Sequence, residues 1–251
     1  MCLVVAAFGV STPHEFLFAA NRDERHERPS EAAHWWPDAP EIFGGRDLLA
    51  YGTWLAVDRS GRLAAVTNFR DASAAEAPLS RGALVANYLR GARPPAEFAA
   101  ALDERRNDYG PFSLLLREHG ALRVVSNRAP PAELDAGVHA LSNAAYGVEW
   151  PKVRSARDGM RRALEMPDPV DALLALLAER APAATPEERY MASHFIEGPV
   201  YGTRSSTVIV IGRDSRLTFA ERSFDASARI TNEVRTSFAL EPLESRSAER
   251  L

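Results

Sequence analysis

The only cysteine of this 251-residue chain stands at position 2, directly before the apolar run Leu3 to Val10. That run is made of small and branched apolar residues, and a turn at Ser11-Thr12-Pro13-His14 separates it from a second run, Phe16 to Ala20. Such spacing predicts an antiparallel hairpin, so the chain opens as sheet with its cysteine at the head of the first strand. Removal of Met1 would leave one residue carrying both a free α-amine and a thiol. The amine titrates at about 7.7–8.0 and the thiol near about 8.5, so nucleophile and base would share one residue. The other reading takes Cys2 as a small hydrophobe in a buried strand.

The second strand runs into Asn21-Arg22-Asp23-Glu24, where alternation sets Asn21 and Asp23 on one face and Arg22 and Glu24 on the other. The polar, proline-containing stretch from Arg25 to Pro40, with Trp35 and Trp36, reads as a long loop. A second hairpin follows from Trp54 to Val57 and Leu63 to Phe69 around the Asp58–Gly61 turn, and it ends on Thr67-Asn68-Phe69. Apolar spacing predicts helices from Ser80 to Gly91, Pro95 to about Arg105, Pro151 to Leu164 and Val170 to Leu177. Strands are expected at Phe112–Leu116, Leu122–Ser126, Val138–Leu141 and Thr207–Ile211, then a final hairpin at Leu217–Phe224 and an edge strand near Val234–Phe238. Residues 178–199 read as a loop or short helix. Strands first, helices in the middle and strands last indicate an α+β layered fold. We expect a single domain over residues 1–241 and a frayed tail over 242–251.

Composition narrows the function classes. Thirty basic and 34 acidic residues are scattered along the chain, which offers no sustained basic surface for nucleic acid. One cysteine excludes an internal disulfide framework and any multi-cysteine metal site, which suits a reducing cytoplasm. No apolar stretch approaches the ~18 residues of a membrane span. No cofactor is expected, and no metal site, since the six histidines are scattered without paired-ligand spacing.

Polar clusters at Cys2, Asn21 to Glu24, Asn68, Asn143 and Arg204 all fall at expected strand ends or edges. Acyl transfer at an amide needs a nucleophile, a base and donors aimed at the oxyanion. Cys2 and its amine supply the first two, and asparagine amides and backbone N–H groups can supply the third. Asp23 could hold the amine, and Arg204 a carboxylate or the thiolate.

Met1-Cys2, Asn21-Arg22-Asp23-Glu24 with Arg28-Pro29, Gly52-Thr53-Trp54-Leu55, Leu63 to Asn68, Arg81-Gly82, Leu141-Ser142-Asn143 and Tyr201 to Thr207 occur in one order over nearly the whole chain. In these motifs the chain resembles the NRDE-domain family, which includes the transport and Golgi organisation protein two homologues. The resemblance implies the N-terminal-nucleophile hydrolase fold, a four-layer α-β-β-α sandwich whose first strand presents its first residue at the site. Within that superfamily the layout is similar to the choloylglycine hydrolase and penicillin V acylase group. The similarity implies Cys2 as nucleophile, Asp23 as the aspartate that orients its amine, and Asn68 as the residue before an oxyanion-hole N–H, that of Phe69. It also implies Asn143 as the side-chain oxyanion donor and Arg204 as a distal arginine of the site. Those acylases place an arginine three residues before the aspartate, where this chain has Ala20; Arg22 shares that face by strand parity.

Two readings of function follow. One is a hydrolase of non-peptide C–N bonds acting on a small amide or acyl compound. The other is a non-catalytic binding or trafficking protein for an apolar metabolite such as haem or acyl-coenzyme A in the same cleft, lined by Trp35, Trp36, Trp54 and Phe43. Arg22 and Glu24 are expected to pair with each other or with Arg28 and Asp47.

Overall fold

The computed structural model describes residues 3–70, 77–182 and 185–242. Cys2 and the tail from 243 therefore lie outside the described residues. The chain divides into two compact units that interleave in sequence: residues 1–29 with 135–238, and residues 30–134 with 239–251.

The first unit is built on a six-stranded sheet. Its strands are β1 (Leu3–Phe8), β2 (His14–Arg25), β10 (Gly137–Leu141), β11 (Tyr201–Gly212), β12 (Arg216–Phe224) and β13 (Ile230–Ala239), in the order β10-β1-β2-β11-β12-β13. The expected opening hairpin is present, with Leu3 opposite Asn21 and Val5 opposite Ala19. Helices α3 (Pro151–Ala163) and α4 (Val170–Leu177) cover one face of this sheet. Leu3, Val5, Leu17, Ala19, Val208 and Val210 pack there against Val153, Met160, Leu173 and Leu177. Within each strand these positions are two residues apart, which is period-two patterning meeting the stripe of a helix. Residues 178–199 contain a short helix, α5 (Pro186–Ala192), opened by a Thr185–Glu188 capping box.

The second unit is a seven-stranded antiparallel meander. Its strands follow sequence order: β3 (Ser30–Trp36), β4 (Ala39–Asp47), β5 (Leu55–Asp58), β6 (Leu63–Asn68), β7 (Phe112–Glu118), β8 (Ala121–Ser126) and β9 (Ala132–Glu133). Helices α1 (Gly82–Arg90) and α2 (Pro95–Asp103) belong to this unit, and α1 packs Leu84, Val85, Tyr88 and Leu89 into its core. The structure corrects the loop expected from Arg25 to Pro40. Most of that stretch is the β3–β4 hairpin, with Pro37-Asp38 as a two-residue turn between Trp36 and its cross-strand partner Ala39.

Two of the sequence motifs meet through their backbones. Thr53 N–H donates to Gly82 O at 3.2 Å, and a Cβ on Gly52 would stand 2.5 Å from the Gly82 carbonyl carbon. Glycine at 52 is thus required by close approach of two chain segments rather than by a turn.

The start of α2 is held by a buried cation. Arg62, 1% exposed, donates to the carbonyls of Tyr88 (3.1 Å), Gly91 (2.6 Å) and Arg93 (2.9 Å), and pairs through Nε with Glu118 at 2.9 Å. Its guanidinium also lies 4.2 Å over the Tyr88 ring. It therefore satisfies the last carbonyls of α1 and fixes the connection to α2. Arg62→Met should cost about 3–5 kcal/mol, because Asp58, Glu118 and three carbonyls lose a buried partner. Arg90→Ala, which removes an exposed pair with Asp38, should cost about 1 kcal/mol or less. Urea unfolding of both variants checks this, and equal losses would contradict it.

Candidate active site

Strand β2 carries its alternation past the apolar run into the polar motif. Asn21 and Asp23 share the face of Leu17 and Ala19, the face that α3 and α4 cover, while Arg22, also buried, takes the other. Asn21 is 0% exposed and fully used: Nδ2 donates to Leu177 O and His194 O, both at 2.8 Å, and Oδ1 accepts from Ser206 Oγ at 2.6 Å. It ties β2 to α4, to β11 and to the segment after α5. His194, whose carbonyl it holds, is itself buried between Leu176 O (2.7 Å) and Ser155 Oγ (2.6 Å).

Asp23 is 1% exposed. Its Oδ1 accepts from Thr203 Oγ1 at 2.6 Å, and that hydroxyl is oriented by accepting the Ile196 N–H at 2.9 Å. Its Oδ2 is buried and has no hydrogen-bond partner among the described residues. Burying an ionised oxygen without a donor is among the costlier things a fold can do, so this atom marks a place where a cation or donor is wanted.

Strand β11 meets β2 with a register shift between Thr203, opposite Asp23, and Ser205, opposite Arg22. Arg204 is the extra residue of that bulge, which re-aims its side chain. Its Nη1 donates to the carbonyls of Arg25, His26 and Arg28 at 3.0–3.1 Å, closing the turn that follows β2. Desolvation lowers its pKa, and the neighbouring Glu24 carboxylate opposes that shift. Glu24 reaches Arg28 at 4.0 Å, one of the pairings expected for it.

Asn143 lies two residues past Leu141, which ends β10, and is buried. Its Oδ1 accepts from Tyr190 Oη at 2.9 Å and from Ser142 Oγ at 3.3 Å. Two hydroxyls on the oxygen fix which way the amide is turned, and Nδ2 is then the donor on the opposite side. Tyr190 comes from α5, its ring 6.1 Å from Trp150 and 4.4 Å beneath the Nζ of Lys152, which is 0% exposed. Leu3, the first described residue of β1, pairs with Asn21, and Val4 pairs with Leu141. Strand β1 thus runs between the strand ends that carry Asp23 and Asn143.

Asn68, Phe69 and the three tryptophans belong to the other unit. Asn68 closes β6 opposite Phe112. The Phe69 N–H, expected as an oxyanion donor, instead donates to Pro111 O at 3.0 Å, because pairing with the β7 side continues one residue beyond the strand. Trp36 is 0% exposed within the helix-facing core; its indole N–H donates to Gly44 O, and the guanidinium of Arg46 lies 4.2 Å over its ring. Trp54 is buried beside Gly45, where any Cβ would collide with its ring. Trp35 packs edge-on against Phe43 at 5.1 Å, with Arg59 over its face at 4.1 Å. The aromatic residues expected to line a cleft therefore all have packing partners within their own unit.

The family model described as Transport and Golgi organisation 2 matches residues 1–226. The chain belongs to that family. The Transport and Golgi organization protein 2 homolog of Bos taurus is 30% identical over 256 aligned positions, covering 89% of this chain and 93% of its own length. The Homo sapiens homolog is 27% identical over the same shares. Among solved structures, two variants of the conjugated bile acid hydrolase from Clostridium perfringens match with a TM-score of 0.52. They are 10% and 11% identical and cover 96% and 97% of this chain, and 99% and 94% of their own. The likeness shows the N-terminal-nucleophile hydrolase fold, an α+β architecture to which each unit of this family member contributes one sheet and its helices. Among the described residues no helix is long and apolar enough to cross a membrane.

Sequence reasoning did not single out Thr203, Ser206, Tyr190, Lys152 or His194. Thr203 and Ser206 lie inside the Tyr201–Thr207 motif, where their spacing from Asp23 and Asn21 emerges only once β11 pairs with β2. Asn21→Leu should lower unfolding stability by about 3–5 kcal/mol, since two carbonyls and one hydroxyl lose their partner. A loss under about 1 kcal/mol in thermal or urea unfolding would contradict this structural role.

Proposed function

We propose that this chain is a cysteine N-terminal-nucleophile amidohydrolase that cleaves a small amide or acyl compound once Met1 is removed. The observation that carries the reading is Asp23 Oδ2, an oxygen sealed from solvent with no partner among the described residues. The α-ammonium of Cys2 is a cation of the kind that atom wants, and its neighbour Leu3 stands between the strand ends bearing Asp23 and Asn143.

In this reading the Cys2 thiol gives its proton to the neutral α-amine, which becomes the ammonium facing Asp23, as the sulfur adds to the carbonyl carbon. Asn143 Nδ2 donates to the oxyanion, its orientation set by the two hydroxyls on Oδ1. Collapse breaks the C–N bond, and the amine returns the proton to the departing nitrogen. A water molecule then attacks the thioester, gives its proton to the amine and restores the thiol. Asp23 holds the amine in place through these steps, with Thr203 on its other oxygen. Arg204 acts as a positioning residue, since its guanidinium closes the turn after β2. Asn68 enters by its correspondence of sequence position, and Arg22 as the cation on the opposite face of β2. A reducing, cytoplasmic setting would keep the thiol free.

Intact mass should show a chain short by its first methionine. Cys2→Ala should abolish turnover of short amides and acyl-amino acids, while Tyr190→Phe should lower kcat more than KM by loosening Asn143. If Cys2→Ala turns over substrate as fast as the parent, the nucleophile assignment is wrong. Absence of turnover in both, with retained affinity for haem or acyl-coenzyme A, would favour the binding protein instead. Asp23→Asn separates the cases without a substrate. Breaking a buried pair with the amine should cost about 3–5 kcal/mol of stability in Met1-free protein. A gain in stability would mean that Asp23 has no cationic partner.

A further inference from the structure

The second unit contains an open-mouthed cavity of about 400 Å³ lined by residues of α1 and α2 and by Tyr109. Ligand pockets begin at about 300 Å³, so the volume admits a small molecule. Its floor is apolar, formed by Leu84, Phe98, Ala101 and Leu102. Its walls are pinned from behind. Arg62 holds the carbonyls of Gly91 and Arg93, and the Asn127 amide donates to the carbonyls of Arg106, Tyr109 and Gly110. Phe98 is fixed edge-on against Tyr88, ring centroids 5.3 Å apart. A cavity whose two sides are anchored by side chains bonded to backbone does not have to be ordered by its occupant.

The polar side chains of this cavity can all donate, and none is anionic. The lining includes Arg93 and Arg105 and no carboxylate. Arg105 is paired with Asp108 at 3.0 Å, whereas Arg93 and Asn87 are exposed at the rim, their side chains open to an incoming ligand, and Tyr109 is buried behind them. Burial raises the pKa of Tyr109, Arg105 acts against that shift and the Asp108 carboxylate adds to it. An apolar floor beside an exposed arginine, an amide and a phenol, with the one nearby carboxylate, Asp108, taken up by Arg105, is complementary to one kind of small molecule.

We infer that this cavity binds a small carboxylate with an apolar body, the carboxylate on Arg93 and Asn87 and the body on Phe98 and Leu102. The site uses none of the residues proposed for the hydrolase and does not rest on that proposal.

Calorimetric titration of the full chain with octanoate and with octanamide tests it, because the two share a body and differ in charge. Octanoate should bind saturably, and octanamide should bind about tenfold more weakly or worse. Arg93→Gln, at an exposed position, should weaken octanoate by about tenfold and leave octanamide unchanged. Ala101→Phe should fill the floor and weaken both, and Cys2→Ala should alter neither. Circular dichroism establishes that each variant is folded. The inference is overturned if acid and amide bind alike, if octanoate fails to bind at millimolar concentration, if Arg93→Gln leaves octanoate affinity unchanged, or if Cys2→Ala abolishes it.

Discussion

A carboxylate buried to 1% exposure must have both oxygens matched, or the fold carries an uncompensated charge whose cost rivals the stability of a whole domain. Around Asp23 the first unit meets half of that requirement. Thr203 is held by Ile196 so that its hydroxyl donates to Oδ1, and Asn21, two residues earlier on the same face, anchors the strand to α4 and β11 through three further bonds. The register shift at Arg204 then lets one guanidinium gather three carbonyls and close the chain just beyond. Nearly every polar group of the Asn21–Glu24 motif is thus engaged in building one strand end, and Oδ2 is the atom without a partner among the described residues.

The second unit uses the same device. Arg62 gathers three carbonyls at the end of α1 as Arg204 gathers three after β2, and Glu118 balances its charge. A planar guanidinium with donors along its edges suits such work better than an ammonium would. In both units a buried or half-buried arginine replaces a helix or strand cap.

Much of this architecture could be read from residue pattern, and the exceptions have physical causes. The opening hairpin, the Asp58–Gly61 hairpin and helices α1 to α4 follow from period-two and period-3.6 spacing with ordinary stops. The β3–β4 hairpin escaped because Pro29, Pro37 and Pro40 and the polar residues among them resemble loop composition. Pro37 in fact occupies the turn, and the hairpin's buried hydrophobic residues are the few at Ala33, Trp36, Ala39, Ile42 and Phe43. Strand parity correctly grouped Asn21 with Asp23, because alternation continues wherever a strand does. It could not reveal the bulge that redirects Arg204, nor that pairing toward β7 runs on to claim the Phe69 N–H. Tyr190 was invisible for a different reason. Helix α5 buries none of its residues, so no periodicity marks the one side chain that reaches Asn143.

What completes Asp23 decides whether this strand end is a catalytic site, and a high-resolution crystal structure of the protein purified without Met1 tests it most directly. The α-nitrogen of Cys2 is expected within about 2.7–3.2 Å of Asp23 Oδ2, with Thr203 still on Oδ1. An α-amine directed elsewhere, with a water molecule or another side chain on Oδ2, would contradict the catalytic reading.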